Sequence, residues 1–105
     1  YIKKFNNKNI VIWGAGHQSL AIISLSGIAK HINYIVDSAH FKQNKYTSGT
    51  NIKIESPEQL ENSYPDALII IAAGYSDEVK RIISNKYPFI KNIAIVREDH
   101  LEIIE

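Results

Sequence analysis

Apolar positions in this chain fall into two alternating kinds of segment. Asn9–Trp13 reads Asn-Ile-Val-Ile-Trp and stops at Gly14-Ala15-Gly16; unbroken apolar, β-branched character suits a central strand covered on both faces. From His17 to about Gly27 the period changes to a helical one, in which Leu20, Ile23 and Gly27 share a face and Gly27 is placed as the C-terminal cap. Asn33-Tyr34-Ile35-Val36 repeats the strand pattern and ends at Asp37, closing a β-α-β unit of about 30 residues with a right-handed crossover.

Ser38–Asn51 is polar and broken by turn formers, which predicts a long loop of the kind that carries function or mobility. Ile52-Lys53-Ile54 predicts a brief edge strand. Ser56-Pro57-Glu58-Gln59-Leu60 has the order of a helix start, with Ser56 as N-cap, Pro57 in the first helical position and Gln59 completing a capping box. After the Tyr64-Pro65-Asp66 turn, Ala67–Ala72 predicts the third main strand. Ser76 or Asp77 then caps a helix that runs to about Lys86, with Val79, Ile82 and Ile83 inward. Ile93–Val96 predicts a fourth strand, and Asp99–Glu105 is either a last frayed turn or the start of a docking segment. The alternation gives an α/β fold, a small Rossmann-like, doubly wound parallel sheet of about four main strands in the order 2-1-3-4 with helices on both faces.

Composition narrows the function classes. The 105 residues, 45% hydrophobic and 22% charged, suit one domain spanning residues 1–105. With no cysteine, disulfide frameworks, thiolate zinc sites, iron–sulfur clusters and cysteine nucleophiles drop out. Twelve Lys and Arg against eleven Asp and Glu, scattered along the chain, argue against charge-driven nucleic-acid binding. The longest apolar run, Ala67–Ala73, is far short of the roughly 20 residues of a membrane span, and no signal-peptide pattern opens the chain. A cytoplasmic protein without a membrane partner is therefore expected. The start at Tyr1, without methionine and almost directly on a strand, suggests a piece of a longer chain.

Gly14-Ala15-Gly16-His17-Gln18-Ser19 is a Rossmann-type fingerprint with serine in place of the third glycine. It follows a strand and opens a helix, and Asp37 comes about 20 residues later. Gly14 permits a tight turn, and Gly16 lets a phosphate approach the backbone. The first amides of the helix face that phosphate, and Asp37 is placed to take a ribose hydroxyl. His17 stands at the helix start as a candidate hydrogen-bond donor or proton carrier, or simply as a surface residue. Ser19 is expected to loosen the helix packing that a third glycine would allow. Tyr75 and Glu78 lie across the strand-order switch from the glycine turn, in reach of a sugar or a base, although Asp77 reads best as a cap. Trp13 reads as a packing residue, and Tyr46 as either packing or a cover over the ligand. His31, His40 and His100 lack ligand spacing, so no metal site and no catalytic group are assigned.

Several segments together carry a resemblance. Ile10-Val11-Ile12-Trp13-Gly14-Ala15-Gly16, Tyr34-Ile35-Val36-Asp37, the loop Lys42-Gln43-Asn44-Lys45-Tyr46-Thr47-Ser48-Gly49-Thr50 with Ile52-Lys53-Ile54 and Ser56-Pro57-Glu58, and Tyr75-Ser76-Asp77-Glu78 resemble the C-terminal domain of the sugar C-methyltransferases that act on nucleotide-linked deoxysugars. The loop is the most distinctive part, because the fold does not require it. Asn44 stands where the family has glycine and Ser48 where it has proline; Asn44 can still take the left-handed conformation a turn there needs.

The resemblance implies a parent with an N-terminal zinc-binding domain, a middle domain that binds S-adenosylmethionine, and this domain closing over the nucleotide-linked sugar. No cofactor is then expected in this chain, which would be inert alone and bind substrate through Gly14, Ala15, Gly16, His17, Asp37, Tyr46, Tyr75 and Glu78. Two other readings stay open: a free-standing nucleotide- or dinucleotide-binding regulator, and a sugar-nucleotide-binding domain of an acyltransferase. The exposed sheet edge admits either another domain of the same parent or a second copy as a homodimer partner.

Overall fold

A computed structural model of the chain describes residues 8–98 and 100–104. Strand β1 (Ile10–Trp13) and strand β2 (Tyr34–Val36) run parallel, joined by helix α1 (His17–Ser26). Gly27 ends α1 in the left-handed conformation at φ 74°, as its place after the helical run predicts. Strand β3 (Lys45–Tyr46) and strand β4 (Lys53–Glu55) form an antiparallel pair, and helix α2 (Gln59–Asn62) follows. Strand β5 (Ala67–Ile70) returns beside β1, helix α3 (Ser76–Lys86) crosses over, and strands β6 (Ile93–Val96) and β7 (Leu101–Ile104) complete the chain. The sheet order is β3-β4-β2-β1-β5-β6-β7.

This is an α/β fold, but the sheet is mixed and seven-stranded, so strand count and order differ from the four-stranded parallel expectation. The four expected main strands form its middle, the brief strand expected at Ile52–Ile54 appears as β4, and β3 and β7 extend the sheet at its two edges. The polar segment after Asp37 is not an open loop: a short 3-10 turn at His40–Lys42 leads into β3, which caps the sheet edge. Ile54 therefore sits inside the sheet, with β2 on one side and β3 on the other. Residues 101–104, expected to fray or dock, pair antiparallel with β6, while Asp99 and Glu105 lie outside the described residues.

Side chains alternate across the sheet into two apolar layers. Val11, Trp13, Val36, Leu68, Ile70 and Ile95 pack with Leu60 of α2 and Val79 and Ile83 of α3. Ile10, Ile12, Ile35, Ile54, Ile69 and Ile71 pack with Ile23 of α1. Each fully buried aliphatic side chain contributes about 1.5–3 kcal/mol relative to exposure, so these layers hold the strand ends in place.

Two caps differ from expectation. Helix α2 begins at Gln59 without a side-chain cap bond, because Ser56 and Pro57 supply backbone carbonyls to Gln59 and Leu60 instead. Helix α3 likewise lacks a side-chain cap: Ser76 is already its first, buried residue, and the Asp77 carboxylate is engaged by Arg97.

Candidate functional site

β1 feeds α1 onto one face of the sheet while the neighbouring β5 feeds α3 onto the other, so a crevice opens where the two strands end. It forms a cavity of about 440 Å³. Gly14, Gly16, His17, Asp37 and Tyr75 line it, together with Gln18, Ser19 and Lys42.

The floor is a backbone constraint. Gly14 has φ 131°, donates its N–H to Val36 O at 2.9 Å, and lies so close to β5 that a Cβ would stand 2.0 Å from the Ile71 carbonyl oxygen. Ser19, expected to loosen the helix, does the reverse. Fully buried, it donates its hydroxyl to Gly14 O at 2.6 Å and ties the helix to the turn. Ala15 is also buried and belongs to the core.

Gly16 presents open space beside an extended backbone and caps α1 with no side chain of its own. The N–H groups of a helix's first turn lack intrahelical partners and carry the positive dipole end. No acidic residue occupies the first turn of α1 to offset it. His17 is exposed at this helix start and Lys42 lines the same cleft, so the α1 side offers an anion first-turn amides and a cation, with the Asp37 carboxylate beside them.

Asp37 has a structural duty that spacing does not reveal. One carboxylate oxygen accepts the Ala15 N–H at 2.8 Å and the other accepts the Ala39 N–H at 2.9 Å, an Asx turn that also clamps the glycine turn. Gln43 donates to Asp37 O at 2.8 Å and folds the following segment back. A carboxylate has roughly four acceptor positions, so about two remain for a ligand hydroxyl. This back-folding brings Lys42 to the cleft, a residue that sequence reasoning did not select.

The α3 side differs in character. Ala73 holds a left-handed φ of 48° at the end of β5, and Tyr75, 73% exposed, stands at the cleft wall. Asp77 bonds Arg97 at 2.8 Å, and that guanidinium holds its carboxyl below the usual range. Glu78 is exposed outside the cleft, and Tyr46 is exposed on β3, also away from it. Among the described residues no group of three or more His, Asp or Glu could hold a metal ion, so nothing here supports the zinc implied for a longer parent. No helix of the described residues is long and apolar enough to cross a membrane.

Comparison with known proteins adds to this geometry. The family model described as "C-methyltransferase C-terminal domain" matches residues 2–101. The C-methyltransferase NovU of Streptomyces niveus is 31% identical over 88 residues, which cover 83% of this chain and 20% of that protein. The chain thus spans about one fifth of the length of that curated relative. Among solved structures, UDP-D-quinovosamine 4-dehydrogenase from Vibrio fischeri superposes with a TM-score of 0.71 at 17% identity, covering 93% of each chain, a likeness of fold alone.

Proposed function

The chain belongs to the C-methyltransferase C-terminal domain family, and from that premise we propose that it is the substrate-facing domain of an S-adenosylmethionine-dependent sugar C-methyltransferase. In this reading the domain is a non-catalytic part of a longer cytoplasmic protein whose remaining domains bind the methyl donor. The observation that carries it is the uncapped, acid-free start of α1, which opens with Gly16 and His17 beside Lys42 on the cleft. A diphosphate would lie there, against first-turn amides and a cation. The sugar would extend toward Tyr75, and the spare acceptor capacity of Asp37 would meet a hydroxyl.

Methyl transfer to carbon needs a donor and a base at the reacting carbon. The domain contributes position instead, holding the substrate while those groups act from elsewhere in the parent.

The test is an amide-shift titration of the 105-residue chain with dTDP-sugar, UDP-sugar, NAD and S-adenosylmethionine. Selective shifts of Gly16, His17, Gln18 and Tyr75 with a diphosphate sugar are expected. Shifts with NAD alone would replace this reading with a dinucleotide-binding regulator, and silence with all four at millimolar concentration would remove the cleft from substrate binding by the isolated domain.

A further inference from the structure

The cleft does not end where β1 and β5 end. A second cavity of about 430 Å³ lies at the end of β6, lined by Val96, Arg97 and Glu98 together with Gln18, Ala73 and Gly74. Gln18 and Ala73 also line the first cavity, so the two compartments share a boundary. That boundary is low. Ala73 carries only a methyl group, and a Cβ placed on Gly74 would meet nothing within 4 Å. The left-handed Ala73, at φ 48°, opens the 3-10 turn Ala73–Tyr75, which sets Tyr75 against the first compartment and Gly74 against the second.

The two compartments differ in chemistry. The first offers the opening amides of α1 and Lys42, with Asp37 beside them. In the second, Arg97 already donates to Asp77 and Glu102, and the Glu98 carboxylate has no hydrogen-bond or ion-pair partner among the described residues. A phosphate there would meet an excess of negative charge. A neutral ring bearing hydroxyls suits it: a hydroxyl can donate to Glu98 and accept from the Gln18 carboxamide or from a remaining N–H of Arg97.

Reach points the same way. Asp37 follows β2 and Arg97 follows β6, with β1 and β5 between them, so three strand spacings separate the two, about 14 Å. A nucleoside anchored at Asp37 with its diphosphate on α1 turns its terminal substituent toward β5 and β6.

We propose that the second compartment is the subsite for the sugar of a nucleoside diphosphate sugar, reached over the Ala73-Gly74 saddle and held by Gln18, Arg97 and Glu98. This subsite rests on the reading of the first compartment as a diphosphate site, and it gives the sugar a place and a class, a neutral ring rich in hydroxyls.

Separate amide-shift titrations of the 105-residue chain with dTDP and with dTDP-glucose test it. Both ligands should move Gly16 and His17, and only dTDP-glucose should move Gly74, Arg97 and Glu98. It should also bind about tenfold tighter than dTDP, the worth of two modest hydrogen bonds. Gly74→Val fills the saddle and should bring that ratio to about one, while Glu98→Ala should cut it about threefold. Lys91→Ala, exposed at the opposite end of β6, should keep it. Equal affinities with no shift at Gly74, Arg97 and Glu98 would overturn the subsite and leave the diphosphate site standing. An unchanged ratio in Gly74→Val or Glu98→Ala, or its loss in Lys91→Ala, would do the same. Still amides at Gly16 and His17 with both ligands would remove the diphosphate site itself, and the subsite with it.

Discussion

Gly14 and Gly27 both hold positive φ, at 131° and 74°, yet they answer to different constraints. A Cβ at Gly14 would meet the Ile71 carbonyl, backbone directly after β5, whereas a Cβ at Gly27 meets nothing within 4 Å. Gly14→Ala should therefore cost roughly 3 kcal/mol or more, because strand and turn must both move. Gly27→Ala should cost only about 1 kcal/mol, the backbone penalty alone. Urea denaturation of the two variants measures the contrast, and equal losses would contradict the close approach. Tyr34 supplies a pH dependence. Burial, with added repulsion from Glu55, pushes its phenol from 10.0 up to about 12. A folded-state value raised above the unfolded one favours the neutral phenol, so its stabilising effect is complete below about pH 10 and is lost as pH rises through about 12. Burial also raises Tyr87. The difference between the unmodified chain and Tyr34→Phe, followed by denaturation from pH 8 to 12, should isolate the Tyr34 share and shrink with rising pH.

At the scale of elements, Arg97 ties the start of α3 to β7. Its guanidinium donates to Asp77 at the start of α3 and to Glu102 in β7, both at 2.8 Å. Exposed pairs add little to global stability, so Arg97→Ala should barely move the unfolding midpoint. It should instead speed hydrogen exchange in Leu101–Ile104, because β7 is a four-residue edge strand with one neighbour. Unchanged exchange there would assign the pairing of β7 to backbone and apolar contacts alone. The same elements explain what was legible in the sequence. Strands β1, β2, β5 and β6 show continuous apolar runs because both faces are covered, and α3 shows a clean amphipathic period because one face meets water. β3 has two residues, too few for any period, and β7 alternates between exposed and half-buried positions that resemble a loose tail. Capping was misread at Ser56 because its own backbone carbonyl and that of Pro57 take the first helical N–H groups, and at Asp77 because Arg97, remote in sequence, engages the carboxylate.

The candidate site was legible in the same partial way. The glycine turn and Asp37 could be placed because they are bound to strand ends, and strand ends were readable. Lys42 was not, since its position depends on the Asx turn and the Gln43 bond that fold the segment after β2 back. Tyr46 reads as either packing or a cover over the ligand because its segment reads as a loop; pairing with β4 holds it on the sheet edge.

For the whole molecule the central fact is the order of pairing. β1 lies between β2 and β5, and its partners Tyr34–Val36 and Ala67–Ile70 come much later in the chain. A chain ended after Asp66 lacks β5, β6 and α3, hence most of one apolar layer, and should show no cooperative urea transition. A sharp transition in that fragment would mean that β1, β2 and α1 fold by themselves. This order also has a consequence in time. Ribosomes add about 5–20 residues per second, so the interval between Trp13 and Ile70 lasts roughly 3–11 s. Throughout it, the Ile-Val-Ile-Trp segment has an unpaired edge, a short β-prone stretch of the kind that aggregates. The centre of the finished sheet is thus the part of the newborn chain most in need of shelter.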